Sequence, residues 1–208
     1  MVTRATIGFA AAGIGAAALA QTPSFVYTLE VANPNLAPGQ TTTVTALCGF
    51  QPGVGQLVST PIGPRPVLGL SSGMFNIVGS GGSWSGLALI APFSFGNWPG
   101  IAVGNNVNGV IWGNGFGPPL GVVSTVNPTP VWLATFTAPA VPGPITLTPI
   151  PVGNHGVWAG FPGEFSVESI SSQTSGVQAV INVIPTPAGL ALLGVGLLAA
   201  AQRRRSRA

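Results

Sequence analysis

The chain has 208 residues, of which 46% are hydrophobic and only 4% are charged, with a formal net charge of +3. Five of its six arginines lie in the terminal segments, and the stretch 21–183 carries a net charge of −2. A nucleic-acid-binding protein needs clustered cations to neutralise phosphates, so the sequence excludes that class.

Residues 1–20 have the composition of a secretory signal peptide. Arg4 supplies a positive charge, the run from 7 to 20 is apolar and uncharged, and Ala18 and Ala20 form a small-x-small pattern. This arrangement predicts cleavage before Gln21, which would become the mature N-terminus. An uncleaved N-terminal anchor is the alternative.

Residues 21–183 are predicted to form a single all-β domain, a β-sandwich or jelly roll. Period-two alternation and β-branched residues predict strands at 25–31, 40–47, 131–137, 144–148, 164–170 and 177–183. We expect 131–137 to pair with 144–148, and 164–170 to pair with 177–183. Turn signals separate the strands, at Ala37-Pro38-Gly39, Gln51-Pro52-Gly53, Asn108-Gly109 and Asn114-Gly115.

Three segments of this domain share a strand rhythm with a known family. They are APGQTTTVTAL from Ala37, VLGLSSGMFNI from Val67 and VWLATFTAPAVPGPITLTPI from Val131. The pattern resembles that of cohesin-like domains. The resemblance implies a β-sandwich of the kind that serves as an adhesion or scaffold module. Because these are core patterns, they do not imply dockerin binding.

The middle of the domain, 79–121, is rich in Gly, Asn and Trp. We expect two or three strands joined by long loops here. Trp84, Trp98 and Trp112 could line a sugar-stacking face, in which case the protein would be a carbohydrate-binding module. The alternative is that these rings, like Trp132 and Trp158, fill the core or its edges.

The residues that most enzymes need are scarce. The chain has no Asp, and its acidic residues are Glu30, Glu164 and Glu168, beside one histidine, His155. These provide no triad and no clustered metal ligands, so we expect no catalytic site, no metal and no cofactor. A secreted hydrolase is the weak alternative.

Cys48 is the only cysteine, so an intramolecular disulfide is impossible. We expect it to be a small buried residue in a strand. A free thiol for intermolecular pairing is the alternative.

The C-terminal segment has three parts in order. Pro185-Thr186-Pro187 precedes an uncharged apolar run, 188–201, and a basic cluster follows, formed by Arg203, Arg204, Arg205 and Arg207. A helix over the apolar run would be about 21 Å long, shorter than the ~30 Å hydrocarbon core. The arginines predict a cytoplasmic end, which places the preceding domain outside. A buried core helix is the alternative.

This tail resembles the PEP-CTERM sorting signal of Gram-negative bacteria over residues 184–208. The resemblance implies processing by a membrane-embedded exosortase and a surface or extracellular location. Thr186 stands where that signal usually has Glu, so the sequence departs from the pattern at this position.

The sequence therefore predicts a signal peptide at 1–20, a β-sandwich at 21–183 and a sorting or transmembrane segment at 184–208. We expect an exported, non-enzymatic structural or interaction protein, anchored in the membrane until its tail is processed. Its expected partners are an exosortase-like enzyme and either exopolysaccharide or other surface proteins. Because the body has almost no charge to oppose association, self-association is a further expectation.

Overall fold

The computed structural model describes residues 24–51, 57–60, 63–66, 69–93, 98–113, 125–153, 157–160, 168–169 and 174–185. These residues form fifteen strands. Their bounds are β1 Ser24–Val31, β2 Asn35–Leu36, β3 Thr41–Gln51, β4 Leu57–Thr60, β5 Gly63–Pro66, β6 Gly69–Gly79, β7 Ser83–Leu89, β8 Trp98–Val103, β9 Asn106–Gly113, β10 Thr129–Thr137, β11 Gly143–Pro151, β12 Val157–Gly160, β13 Glu168–Ser169, β14 Thr174–Gly176 and β15 Ala179–Val183.

The first sheet, called sheet 1, has five strands in the order β14-β1-β3-β10-β7. Successive side chains in a strand point to opposite faces, and the alternation in these strands sets the inner face. In β1, Phe25, Tyr27 and Leu29 are buried, whereas Glu30 is exposed. β3 pairs with both β1 and β10, and its alternate residues are buried in the same way. Its buried apolar residues therefore lie on the same face of the sheet as those of β1.

The second sheet, called sheet 2, has eight strands built around β6. One edge of β6 pairs with β9, whose other side pairs with β8. The opposite edge of β6 pairs with β11 and then with β12, in succession along its length. β15 and β2 lie beyond β11, and β13 lies beyond β12. A separate hairpin joins β4 to β5.

The core lies between the two sheets and is rich in aromatic residues. Three indole N–H groups reach from one sheet to the other: Trp112 donates to the hydroxyl of Tyr27, Trp132 to the carbonyl of Pro99, and Trp84 to the carbonyl of Asn105, each at 2.9 Å. A buried Trp N–H usually finds an acceptor, and each of these three acceptors lies in the opposite sheet or its hairpin turn. The predicted all-β sandwich is therefore confirmed.

The predicted pairing of 131–137 with 144–148 is wrong. β10 lies in sheet 1 between β3 and β7, whereas β11 lies in sheet 2 between β6 and β15. The connection crosses from one sheet to the other and carries Pro139 and Pro142, which cannot donate ladder hydrogen bonds. At its start, Ala138 donates to the carbonyl of Gln40 at 2.9 Å, so the connection bonds to the turn before β3.

Two further expectations about pairing are corrected. The last strand, β15, pairs with β11 and β2 rather than with 164–170. Of that earlier segment, the structure describes Glu168–Ser169, which pairs with β12. The dipeptide Asn108-Gly109 is not a hairpin turn, because it lies within β9, where the register against β6 shifts. The hairpin turn between β8 and β9 is Gly104-Asn105 instead.

The predicted turn at Ala37-Pro38-Gly39 is confirmed. Gln40 donates to the carbonyl of Ala37 at 3.0 Å, and Gly39 has a φ of 77°. That φ is in the left-handed region, which glycine occupies without steric cost. The turn therefore sets the start of β3.

The predicted signal peptide at 1–20 and the apolar run of the tail at 188–201 lie outside the described residues. Across the part of the chain that the structure does describe, no helix has the length and apolar character to cross a membrane.

Candidate interaction surface

The outer side of sheet 2 carries a set of exposed and half-buried apolar side chains, which we call the apolar face. Along β8, Trp98, Ile101 and Val103 are 51%, 54% and 54% exposed. Ile150 of β11 is also exposed. The face extends over four neighbouring strands, in the order β11, β6, β9 and β8.

The strand register arranges this face in rows. In the first row, Trp98 lies opposite Ile111, and Ile111 lies opposite Met74. The N–H of Val152 donates to the carbonyl of Met74 at 3.1 Å, which adds Val152 to the row. Side chains directly opposite each other in an antiparallel pair have Cβ atoms about 4.5–5.5 Å apart. Four apolar side chains therefore lie in line across the sheet.

The second row has isoleucines at its ends and amides at its centre. Ile150 lies opposite Asn76, and Ile101 lies opposite Asn108. β9 carries a bulge here, so Asn76 faces both Asn108 and Gly109. Asn76 Oδ1 accepts a hydrogen bond from the N–H of Gly109 at 2.7 Å. This bond satisfies a backbone group that the bulge would leave unpaired.

The third row mixes apolar and polar side chains. Thr148 lies opposite Val78 in β6, and Val103 lies opposite Asn106 in β9. Asn106 Oδ1 accepts a hydrogen bond from the N–H of Gly79 at 3.0 Å. The side chains of Asn76 and Asn106 are thus held in place by hydrogen bonds from backbone N–H groups.

The outermost strand, β8, is fixed by two local features. Gly100 has a φ of 87°, and a Cβ at this position would lie 2.9 Å from Val107 Cγ1. Pro99 lacks an N–H, and its carbonyl accepts the indole N–H of Trp132. This stretch of the β8 edge therefore has few backbone groups to offer a further strand.

None of the charged residues that the structure describes belongs to the three rows of the apolar face. Glu30 is on β1 in sheet 1, where it lies opposite Thr45, and Arg65 is on β5 in the separate hairpin. Glu168 is on β13, at the end of sheet 2 beyond β12. None of the described positions in the three rows carries an ionisable side chain.

The footprint of the three rows, which includes the polar side chains of Asn76, Asn106, Asn108 and Thr148, is within the size range of large surface patches on other proteins. Strands about 4.8 Å apart and rows about 6.7 Å apart give a footprint of roughly 400 Å², side-chain width included. The largest apolar patch on a monomeric protein is typically about 300–600 Å² and is often a binding site.

The predicted sugar-stacking set is not assembled. Trp112 is fully buried and Trp84 is 7% exposed, because both rings pack between the sheets. Trp98 alone of the three is exposed. Trp132 is also buried, and of Trp158 the structure describes the backbone in β12. The prediction that Trp84, Trp98 and Trp112 together form a sugar-stacking surface is therefore wrong.

Cys48 is buried in β3, as predicted, and is a free thiol. It lies opposite Tyr27 in the β1–β3 ladder. Burial raises the pKa of Cys48 far above its ordinary range, although a hydrogen bond with Tyr27 opposes the shift. A buried, neutral thiol cannot act as a nucleophile.

The two candidate acid residues that the structure describes lie on different sheets. Glu30 lies in sheet 1 and Glu168 in sheet 2. His155 and Glu164 lie outside the described residues. In the described ranges, no group of three or more His, Cys, Asp or Glu side chains could hold a metal ion.

The targeting residues lie almost wholly outside the described part. This holds for the cleavage pattern Ala18, Ala20 and Gln21, for Thr186 and Pro187, and for Arg203, Arg204, Arg205 and Arg207. Pro185 is described and is exposed, directly after Ile184, which donates to the carbonyl of Leu36 at 2.8 Å.

The sequence contains a signal of the apolar face, namely adjacent apolar residues within single strands, which an analysis of period-two alternation alone does not detect. Met74 and Phe75 are adjacent in β6, and so are Ile77 and Val78, whereas a strand with one wet face alternates. β9 likewise runs Val110, Ile111, Trp112. Continuous apolar runs are typical of strands covered on both sides.

Comparison with solved structures decides the fold. The seventh ScaB type I cohesin from Pseudobacteroides cellulosolvens matches with a TM-score of 0.52 at 14% identity, covering 78% of this chain and 94% of that one. The fold is cohesin-like.

Two further matches are type I cohesin–dockerin complexes from Clostridium thermocellum. Coh-OlpA–Doc918 has a TM-score of 0.48 at 10% identity, with 76% of this chain and 99% of that one covered. Coh-OlpC–Doc435 has a TM-score of 0.48 at 8% identity, with 80% and 99% covered. No protein-family model matches the sequence, and no curated protein is significantly similar to it. The match to the ScaB cohesin confirms the resemblance in fold that the strand rhythm suggested.

Proposed function

We propose that this chain is an exported interaction module that binds a protein partner through the apolar face of its cohesin-like sandwich. The observation that carries the proposal is an uncharged, largely apolar surface on one sheet, with Trp98 at its margin and Ile101 beside it. A soluble protein keeps such a surface only at a free-energy cost unless a partner removes it from water.

The chemistry of the face defines the partner. Burial of apolar area contributes about 25 cal/mol per Å², and exposed Trp residues are frequent hot spots of protein interfaces. The described face offers no charge to steer or select a charged partner. The partner surface is therefore uncharged and largely apolar, and binding is driven by desolvation rather than by ion pairs.

Export is part of the same proposal. The segment 1–20 supports secretion, and the order of Pro185-Thr186-Pro187, apolar run and arginine cluster supports sorting by an exosortase-like enzyme. The domain would then be held at the membrane by its tail and later released to the cell surface or the surrounding matrix. Its role there is structural, and the chain is not an enzyme.

Variants test the role of the face. Ile101→Glu introduces a charge into the face at the β8 end of its second row, and Thr43→Glu introduces the same charge at an exposed position of sheet 1. Binding of proteins from the envelope of producing cells is measured on the immobilised chain and each variant. We expect Ile101→Glu to lose most of the binding and Thr43→Glu to retain it.

The salt dependence adds an independent readout. Between about 0.1 M and 1 M NaCl the Debye length falls from about 10 Å to about 3 Å, yet the binding to the apolar face should not weaken. Equal capture by both variants would contradict the proposal. Capture of a polysaccharide that Trp98→Ala abolishes would instead support a carbohydrate-binding module.

Mass spectrometry of the mature C-terminus tests the export part. We expect released protein to lack the cluster Arg203–Arg207. Released protein that retains this cluster would contradict processing of the tail, and a chain found intact only in membranes would indicate a plain anchor.

A further inference from the structure

We infer that the partner on the apolar face is a second copy of this chain, packed sheet against sheet about a two-fold axis that lies in the plane of the interface. The inference rests on the proposed function, because it names the occupant of the same surface. It is carried by the order of the side chains across the face, which is self-complementary.

The second row of the face is palindromic. It reads Ile150, Asn76, Asn108, Ile101 from β11 to β8. A two-fold interface brings the same patch of both subunits together. If the axis passes through the centre of this row, each isoleucine meets an isoleucine and each asparagine meets an asparagine.

The amides at the centre are suited to pairing with each other. An Asn side chain carries both donors and acceptors, so two Asn residues form hydrogen bonds with each other. The described face holds no charge that would repel its own copy. An unrelated apolar partner would leave Asn76 and Asn108 facing apolar atoms, where burial without hydrogen bonds is costly.

The first row fits the same operation. With the axis parallel to the strands, Trp98 meets Val152 of the second copy, and Met74 meets Ile111. With the axis perpendicular to the strands, Trp98 meets Val103 and Met74 meets Val78. Either arrangement keeps Trp98 on an aliphatic side chain, and sheets packed face to face keep their strands within about 30° of each other.

The area of the face sets the strength of the dimer. Two footprints of roughly 400 Å² total about 800 Å², below the ~1,200–2,000 Å² of a stable interface. The dimer is therefore reversible and concentration-dependent. Tethering to one membrane raises the effective concentration of neighbouring copies, so the assembly is favoured where the chain is anchored.

Disulfide cross-linking of the full chain in cell envelopes tests the inference. The double variant Ile101→Cys with Ile150→Cys places one thiol on β8 and one on β11. Within one chain these strands are three spacings, about 14 Å, apart, whereas a disulfide needs Cα atoms within about 7 Å. The parent chain, whose free Cys48 is buried, gives the background level of disulfide-linked dimer.

The control is Thr43→Cys with Ser83→Cys, two exposed positions on the outer face of sheet 1. Under mild oxidation, we expect the apolar-face variant to give at least tenfold more disulfide-linked dimer than the control. Ile101→Cys alone forms the dimer if the axis is perpendicular to the strands. A mixture of the two single variants is required if the axis is parallel.

Maleimide labelling of the Ile101→Cys variant separates the two proposals. If position 101 is protected from maleimide but no disulfide-linked dimer forms, the second copy is overturned as the partner, and the docking role of the face is left in place. Full labelling without a dimer band would overturn both.

Discussion

The indole N–H of Trp112 donates a 2.9 Å hydrogen bond to the hydroxyl of Tyr27 in the interior of the sandwich. Trp112 belongs to β9 of sheet 2 and Tyr27 to β1 of sheet 1, and both side chains are fully buried. This bond joins β9, one of the four strands that form the apolar face, to the opposite sheet. It therefore helps to hold that strand in position.

The first prediction concerns this bond. Tyr27→Phe keeps the ring but leaves the Trp112 N–H unpaired in the core, which should lower the free energy of unfolding by about 1–3 kcal/mol. Thr28→Val, on the outer side of the same strand, should change it by less than about 0.5 kcal/mol. Urea unfolding measures both variants. Equal stability of Tyr27→Phe and the parent would contradict a structural role for the bond.

The second prediction concerns alkaline pH. Burial raises the pKa of Tyr27 and of Cys48, so both groups stay neutral in the fold. In the unfolded chain they lose protons above about pH 10 and about pH 8.5 respectively. The unfolded state then binds fewer protons, and stability should fall as pH rises, by about 1.4 kcal/mol per pH unit for each group.

Cys48→Ala provides the control for this pH dependence. Without the thiol, the decline should begin near the Tyr27 range, about pH 10, instead of about pH 8.5. Urea unfolding at a series of pH values measures the onset. A parent and a variant with the same onset would show that Cys48 does not contribute.

The third prediction concerns the turn between β6 and β7. Gly82 has a φ of 84°, and a Cβ there would meet the ring of Phe136 and lie 2.7 Å from the carbonyl oxygen of Thr137. Gly82→Ala should therefore cost more than about 2 kcal/mol, from backbone strain and overpacking together.

Gly104→Ala is the matched control for Gly82→Ala. Gly104 has a φ of 60° and no atom within 4 Å of the added Cβ, so it should cost only the left-handed conformation, about 1 kcal/mol. Thermal unfolding of the two variants gives the comparison. A larger loss at Gly104 would mean that the packing around Gly82 is not the cause.

Strand positions were predictable from sequence, whereas strand partners were not. Alternation located 25–31 and 131–137 within β1 and β10 because period two is a local property. It does not specify the sheet, because pairing depends on distant residues. β10 pairs with β3 and β7, and its neighbour in sequence, β11, pairs with β6 and β15.

The exposure of the individual tryptophans could not be predicted from the sequence for a related reason. Trp84, Trp98 and Trp112 share a Gly-rich context, and each could face water or the core. The structure separates them through partners far along the chain, such as Tyr27 for Trp112 and Asn105 for Trp84. Only Trp98 remained on the surface, at the margin of the apolar face.

The most direct test of the central claim, that a partner covers the apolar face, is hydroxyl-radical footprinting of the unmodified chain. Oxidation of Trp98 and Met74 is compared between the chain assembled in cell envelopes and the chain purified and diluted. We predict severalfold protection of both residues in the envelope, with Tyr27 and Trp132 equally protected in both states because they are buried. Equal oxidation of Trp98 and Met74 in the two states would contradict the account.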